Sequence, residues 1–225
     1  ALGWQSTASG NYSTALGLQA TASANNSTAI GVTSNASAIN STALGFSSNA
    51  QAVNATALGF ASKASGTDSS SLGTASVAVG NFSTALGANS HAENSNATAL
   101  GYSSNATGVN ATALGYSSNA SGIDSTALGK NSIAAGSYAT ALGVGTTAAL
   151  FSSTAVGVDS AALANFATSL GAKSLANANN ATALGAGAVA SGLASSSLGN
   201  NANASGNSAI ALGDGTNASG ISSTA

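Results

Sequence analysis

The sequence predicts an all-β fold, a parallel β-solenoid wound in coils of fourteen residues. Three observations predict it. A glycine recurs every fourteen residues without insertion or deletion, from Gly3, Gly17 and Gly31 to Gly199 and Gly213, sixteen in all. A strict period of that length marks one small unit stacked on copies of itself. The residues before each glycine, Thr-Ala-Leu in most units, suit a strand, whose side chains alternate between two faces. Glycine, serine, threonine and asparagine fill much of the remainder, a composition that penalises helix.

With the glycine numbered as position 0, each column of the repeat can be read in turn. Position 13 is Leu in fourteen units, with Ile30 and Val156 as the substitutes. Position 12 is Ala or Ser throughout, position 11 is Thr or Ser except at Ile210, and position 5 is Ala in all sixteen units. Fourteen residues make two short strands and two tight corners. Thr and Leu then share one face of a strand and Ala and Gly the other. The leucines are expected to point into the coil, opposite the position-5 alanines. The Ala and Gly columns are expected to form a small-residue seam outside, where a partner chain can approach. Coils stacked at about 4.8 Å place equivalent side chains in ladders, so Asn26, Asn40, Asn54 and Asp68 at position 9 are expected to bond along the stack.

One corner shows a substitution pattern. Where position 9 is aromatic (Tyr12, Phe82, Tyr138, Phe166), position 8 is polar; where position 8 is apolar (Ile39, Val53, Val109, Ile123, Phe151, Leu193, Ile221), position 9 is small or polar. This pattern is expected of a single pocket filled from either position. A lone coil of this size buries too little to offset the ordering of fourteen residues, which predicts an obligate oligomer.

Units such as Asn110-Ala-Thr-Ala-Leu-Gly-Tyr-Ser-Ser-Asn-Ala-Ser-Gly-Ile-Asp-Ser-Thr-Ala-Leu-Gly129 resemble the head repeats of YadA-like trimeric autotransporter adhesins. The resemblance runs along the whole chain, 1–225, read as one repeat domain that starts and stops in mid-repeat, like a slice of a longer array. It implies a left-handed parallel β-roll, three of which pack side by side as a homotrimer. It also implies a head on the bacterial cell surface, tethered to the outer membrane through a neck, stalk and anchor outside these residues, and a part in virulence. Leucine stands where the family usually has isoleucine, and charge is low for a host-binding head.

Composition excludes several other classes. Three lysines and five acids give a net charge of −2, with no basic footprint for nucleic acid. Cysteine is absent, so there is no thiol nucleophile and no cysteine metal site. No run approaches the eighteen or so apolar residues of a membrane helix, so no membrane contact by this segment is expected. His91, with Asn89 and Glu93 on the same strand face, is an incomplete ligand set and reads as a solvated cluster. No catalytic residue, metal or cofactor is expected, and the chain reads as a non-enzyme. The Gly-x-Gly pairs are repeat glycines, not phosphate loops, and the recurring Asn-x-Ser/Thr triplets read as by-products of composition.

The candidate ligand-binding residues are the position-1 aromatics Trp4, Phe46, Phe60, Tyr102 and Tyr116. Packing between neighbouring coils is their first reading; if they face water, they suit an extended matrix protein, glycan or cell-surface ligand. The expected function is adhesion to host matrix, cells or surfaces, with autoaggregation in addition. A ligand-free, self-associating spacer is the alternative. An ice-binding solenoid is a further rival, disfavoured because ice faces want paired threonine columns and because Thr is expected beside Leu on the inside.

Overall fold

The computed structural model describes residues 1–225. It is an all-β parallel solenoid of fourteen-residue coils with no helix. The chain divides into two compact units, 1–111 and 112–225. In unit 1, two-residue strands run from Thr7–Ala8 to Asn105–Ala106 and three-residue strands from Thr14–Leu16 to Thr98–Leu100. In unit 2 the three-residue strands run from Thr112–Leu114 to Ile210–Leu212 and the two-residue strands from Asn119–Ala120 to Asn217–Ala218. Pairing is parallel and steps by one repeat: Thr42, Ala43 and Leu44 lie beside Thr56, Ala57 and Leu58 in unit 1, and Thr126, Ala127 and Leu128 beside Thr140, Ala141 and Leu142 in unit 2.

The two corners are built alike. At the first, the Ser34 N–H donates to the Gly31 carbonyl (3.3 Å); at the second, the Ser41 N–H donates to the Ala38 carbonyl (3.1 Å). The third residue of each turn has positive φ, +56° at Thr33 and +58° at Asn40, as a type II turn demands. The serine hydroxyl then donates to the same carbonyl, at 2.9 Å for Ser34 and 2.6 Å for Ser41. Ser34 and Ser41 thus lock their turns from inside the coil; alanine takes the same place in other coils, as at Ala20 and Ala55. The period glycine is needed twice over. Gly45 has φ of +134°, and a Cβ there would lie 2.5 Å from the Gly59 carbonyl oxygen of the next coil. Both the backbone conformation and the close approach exclude a side chain.

The lumen overturns the expected facing of the strands. Every buried apolar residue is an alanine, and the largest fully buried side chain is Thr146. Positions 3, 5, 10 and 12 point inward, as Ser34, Ala36, Ser41 and Ala43 do, all fully buried. The leucines point outward instead; Leu44 keeps 37 % of its surface exposed and Leu58 38 %. The alternation of Thr and Leu against Ala holds, but the faces are exchanged. The reason is width. Ser71 and Ser76, on opposite walls, lie 2.7 Å apart oxygen to oxygen, so the lumen is closed by the two smallest Cβ-bearing residues and has no room for leucine. The small-residue seam is thus the core, and the outer face carries Thr and Leu.

The amide ladder forms as expected. Asn26 donates to Asn40 (3.1 Å), Asn40 to Asn54 (2.9 Å) and Asn54 to the Asp68 carboxylate (2.7 Å). Asn96 donates to Asn110 at 3.0 Å farther along unit 1. The expected corner pocket does not form. Tyr12, Phe82, Ile39 and Val53 are all exposed, because positions 8 and 9 are the two tip residues of a turn that projects away from the lumen.

Candidate functional site

Two outward surfaces are candidates, and each follows from the strand and turn geometry. The first is the outer face of the three-residue strands. In unit 1 it sets Thr14, Thr28, Thr42 and Thr56 beside Leu16, Ile30, Leu44 and Leu58 in parallel columns. The face is regular, uncharged and incompletely covered. Because Thr points out rather than in, one objection to ice binding falls; the other stands, since leucine occupies the second column.

The second surface is the first corner, where position 1 is a turn tip. Trp4, Phe46, Phe60, Tyr102 and Tyr116 are all exposed there. Phe46 and Phe60 stack with ring centroids 5.3 Å apart and planes 8° from parallel. The same pair therefore packs and faces water. Tyr116 carries the Lys130 ammonium 5.7 Å from its ring centroid, within reach of a cation–π contact. Trp4 is followed in the next coil by the exposed Leu18. Trp4, Phe46, Phe60 and Tyr102 share a turn position in unit 1, as Tyr116 does in unit 2, and Phe46 stacks on Phe60 within unit 1.

A second aromatic group escaped the sequence reading. In unit 2, Phe151 lies edge to face with Tyr138 (centroids 5.5 Å, planes at 79°) and with Phe166 (5.4 Å, 75°). Tyr138 and Phe166 are at position 9 and Phe151 at position 8, so the three alternate along one turn in consecutive coils. That alternation was visible in the sequence as a substitution pattern, and its meaning is contact between coils outside the lumen.

The histidine cluster offers little chemistry. The His91 ring Nδ1 lies 2.9 Å from the Asn89 backbone carbonyl, which holds the ring against its own strand, and Glu93 is exposed nearby. No three potential metal-ligating side chains come together.

Comparison with curated proteins found no match. Comparison with protein families found the YadA head domain repeat (2 copies), in overlapping matches over residues 1–90, 92–118, 120–146 and 151–225. The repeat length, the inward Ala and Ser columns and this near-complete coverage agree, and the chain belongs to the YadA head-repeat family.

Proposed function

We propose that this chain is the head of a bacterial surface adhesin, that it acts as a homotrimer of left-handed rolls, and that it performs no catalysis. The family supports adhesin-type function at the cell surface, since its heads belong to adhesins anchored in the outer membrane. One observation carries the trimer: the buried side chains are those of alanine and serine but for Thr146, while the large apolar side chains lie outside. Such a core supplies little hydrophobic stabilisation per coil, and the Thr–Leu face is the surface whose burial would make up the difference. Partner chains therefore pack on leucines, not on the small-residue seam. The whole of 1–225 then acts as one repeat domain that displays its outer columns three times over, so weak contacts add through avidity.

Sedimentation of the purified chain at nanomolar concentration tests the assembly. Three chains per particle are expected; a monomer that melts cooperatively would overturn the reading. The exposed turn aromatics Trp4, Phe46, Phe60 and Tyr102 of unit 1 and Tyr116 of unit 2 are the proposed ligand-binding residues, fit for an extended matrix protein or glycan. Alanine at both Tyr102 and Tyr116 is expected to weaken adhesion of fragment-coated beads to matrix or cells while the melting temperature holds. Beads that bind neither, but clump together, would favour a spacer. An ice-recrystallisation assay is expected to be negative, because trimer packing covers the threonine column.

A further inference from the structure

Side chains tie the first coils of unit 1 together where equivalent positions match across the repeat. Gln19 donates to Gln5 (2.9 Å), Thr33 meets Ser47 (2.8 Å), Asn35 donates to Asn49 (3.3 Å) and Phe46 stacks on Phe60. With the amide ladder from Asn26 to Asp68, every boundary between the coils that begin at Gly3, Gly17, Gly31, Gly45 and Gly59 carries at least one such tie. These columns lapse together by the coil that begins at Gly73. Position 1 changes from Phe60 to Thr74 and Ala88, and position 2 from Ser47 to Ala61 and Ala75. Position 4 carries Lys63, Val77 and His91, and position 9 passes from Asp68 to Phe82. One tie reaches coil 73–86 from the preceding coil, the Thr67 N–H donating to Asn81 Oδ1 (3.0 Å). Its boundary with coil 87–100 is held by backbone bonds, without a side-chain hydrogen bond or ring stack. Ties resume beyond it, where Asn96 donates to Asn110.

Other defects gather at the same height. The buried hydroxyls of Ser65, Ser69 and Ser83 have no partner, whereas Ser41, at the same position as Ser69 and Ser83, donates to its turn carbonyl. A buried hydroxyl left unpaired is destabilising. Ala75 and Phe82 hold φ of +53° and +58°, a region that asparagine adopts at less cost. Gly66 and Gly80 occupy position 7 of adjoining coils and gain more freedom than other residues when the chain opens. Coils that touch only their neighbours open at the boundary that holds least.

We propose that the boundary between coils 73–86 and 87–100 is a built-in fault, where unit 1 opens first and lets out chain under tension. The bonds across it run along the stack, from the Val77 N–H to the Ser90 carbonyl (2.8 Å) and from the Thr84 N–H to the Ala97 carbonyl (2.9 Å). A pull along the stack therefore loads them one coil at a time, and the untied boundary yields before the tied ones. Fourteen residues at about 3.3 Å give roughly 46 Å, of which the coil already spanned about 4.8 Å, so each unwound coil adds about 40 Å. A head held under load then gives length at the fault while its tied coils keep their outer columns in place. That use rests on the adhesin reading; the order of opening does not.

Hydrogen exchange of the full chain tests the order of opening. The Val77, Val79 and Thr84 amides, which bond across the fault, are expected to be about tenfold less protected than those of Asn35, Ser37 and Thr42, their equivalents in a tied coil. Phe82→Asn, which restores a donor to Asn96, combined with Ser83→Ala is expected to raise protection at the fault about fivefold and leave Asn35 unchanged. Asn40→Phe, which breaks the ladder among tied coils, is expected to lower protection at Asn35 and Thr42 about threefold. Equal protection of the two sets in the parent chain overturns the inference, as does a folded repaired chain whose fault amides exchange at the parental rate. Should the repaired chain fail to fold, Asn40→Phe carries the test, and unchanged protection there overturns the inference. When the parent chain is stretched by its termini, the first lengthening is expected near 40 Å, at a lower force than in the repaired chain. Equal forces overturn the role under tension. Beads that bind neither matrix nor cells overturn the adhesin reading instead and leave the exchange order standing.

Discussion

Ser71 and Ser76 stand on opposite walls of one coil with their hydroxyl oxygens 2.7 Å apart, and Ser169 and Ser174 repeat the contact at the same distance in unit 2. Ser197 occupies the corresponding place in a later coil, but the residue facing it is Ala202, and its buried hydroxyl has no partner. An unsatisfied buried hydroxyl costs about 1–3 kcal/mol. Ser197→Ala and Ala202→Ser should therefore each stabilise unit 2, by about 1 kcal/mol, read as a shift of the denaturation midpoint. The two changes together should not add, since each removes the same defect.

Gly45→Ala should destabilise unit 1 by about 3 kcal/mol, because it combines an unfavourable backbone region with a clash against the next coil's backbone. Substitution of Ala61, whose φ is +53°, by Gly is the control and should be neutral or mildly stabilising. Thermal melting distinguishes the two. A Gly45→Ala chain as stable as the parent would mean that the coils can slide apart at the corner.

The amide ladder of unit 1 stops at Asp68, which accepts from Asn54 and has no N–H to pass on. The next coil places Phe82 in the column, exposed and at a φ of +58° that aromatic residues adopt at a cost. Phe82→Asn should relieve that backbone and donate to Asn96. A gain of about 2 °C in melting temperature is expected. A loss would show that the phenyl ring contributes more than its exposure suggests.

Leu44→Asp with Leu58→Asp should dissociate the oligomer, since both side chains are apolar and lie in the face assigned to partner chains. Burying two unpaired carboxylates costs several kcal/mol. Sedimentation should report single chains, with a lower melting temperature. The same change at Ser23 and Ser37, exposed and just past the two-residue strands Thr21–Ala22 and Asn35–Ala36, should leave the mass unchanged.

Much of this architecture was legible from periodicity. The glycine register, the alternation in Thr42-Ala43-Leu44 and the asparagine column each translate into backbone spacing without further information. The side on which Leu44 lies was not legible. The rule that large apolar residues go inside assumes an interior wide enough to hold them, and the width of this lumen is set by the opposing wall, as the pairing of Ser71 with Ser76 shows. The Phe151 group was hidden for a related reason. Residues at positions 8 and 9 of successive coils meet only because both project from one turn, and a reading within single units treats them as alternatives.

Each coil repeats one design twice, a turn with a left-handed third residue, a small inward residue that is most often serine, and a short strand that brings an inward alanine or serine and one further, outward residue. The halves differ in that last residue, leucine after one strand and most often serine after the other, and in the residue that follows, an invariant positive-φ glycine in the first case and Gly, Ala, Asn or Leu in the second. A deletion of seven residues would therefore leave every downstream turn and strand able to form, yet carry all later leucines to the opposite wall. Folding is nearly blind to this frame, and assembly is not. The identity of the gluing face is written in a single residue per half-coil, so recombination among these units can rewire what sticks to what without altering how any one of them winds.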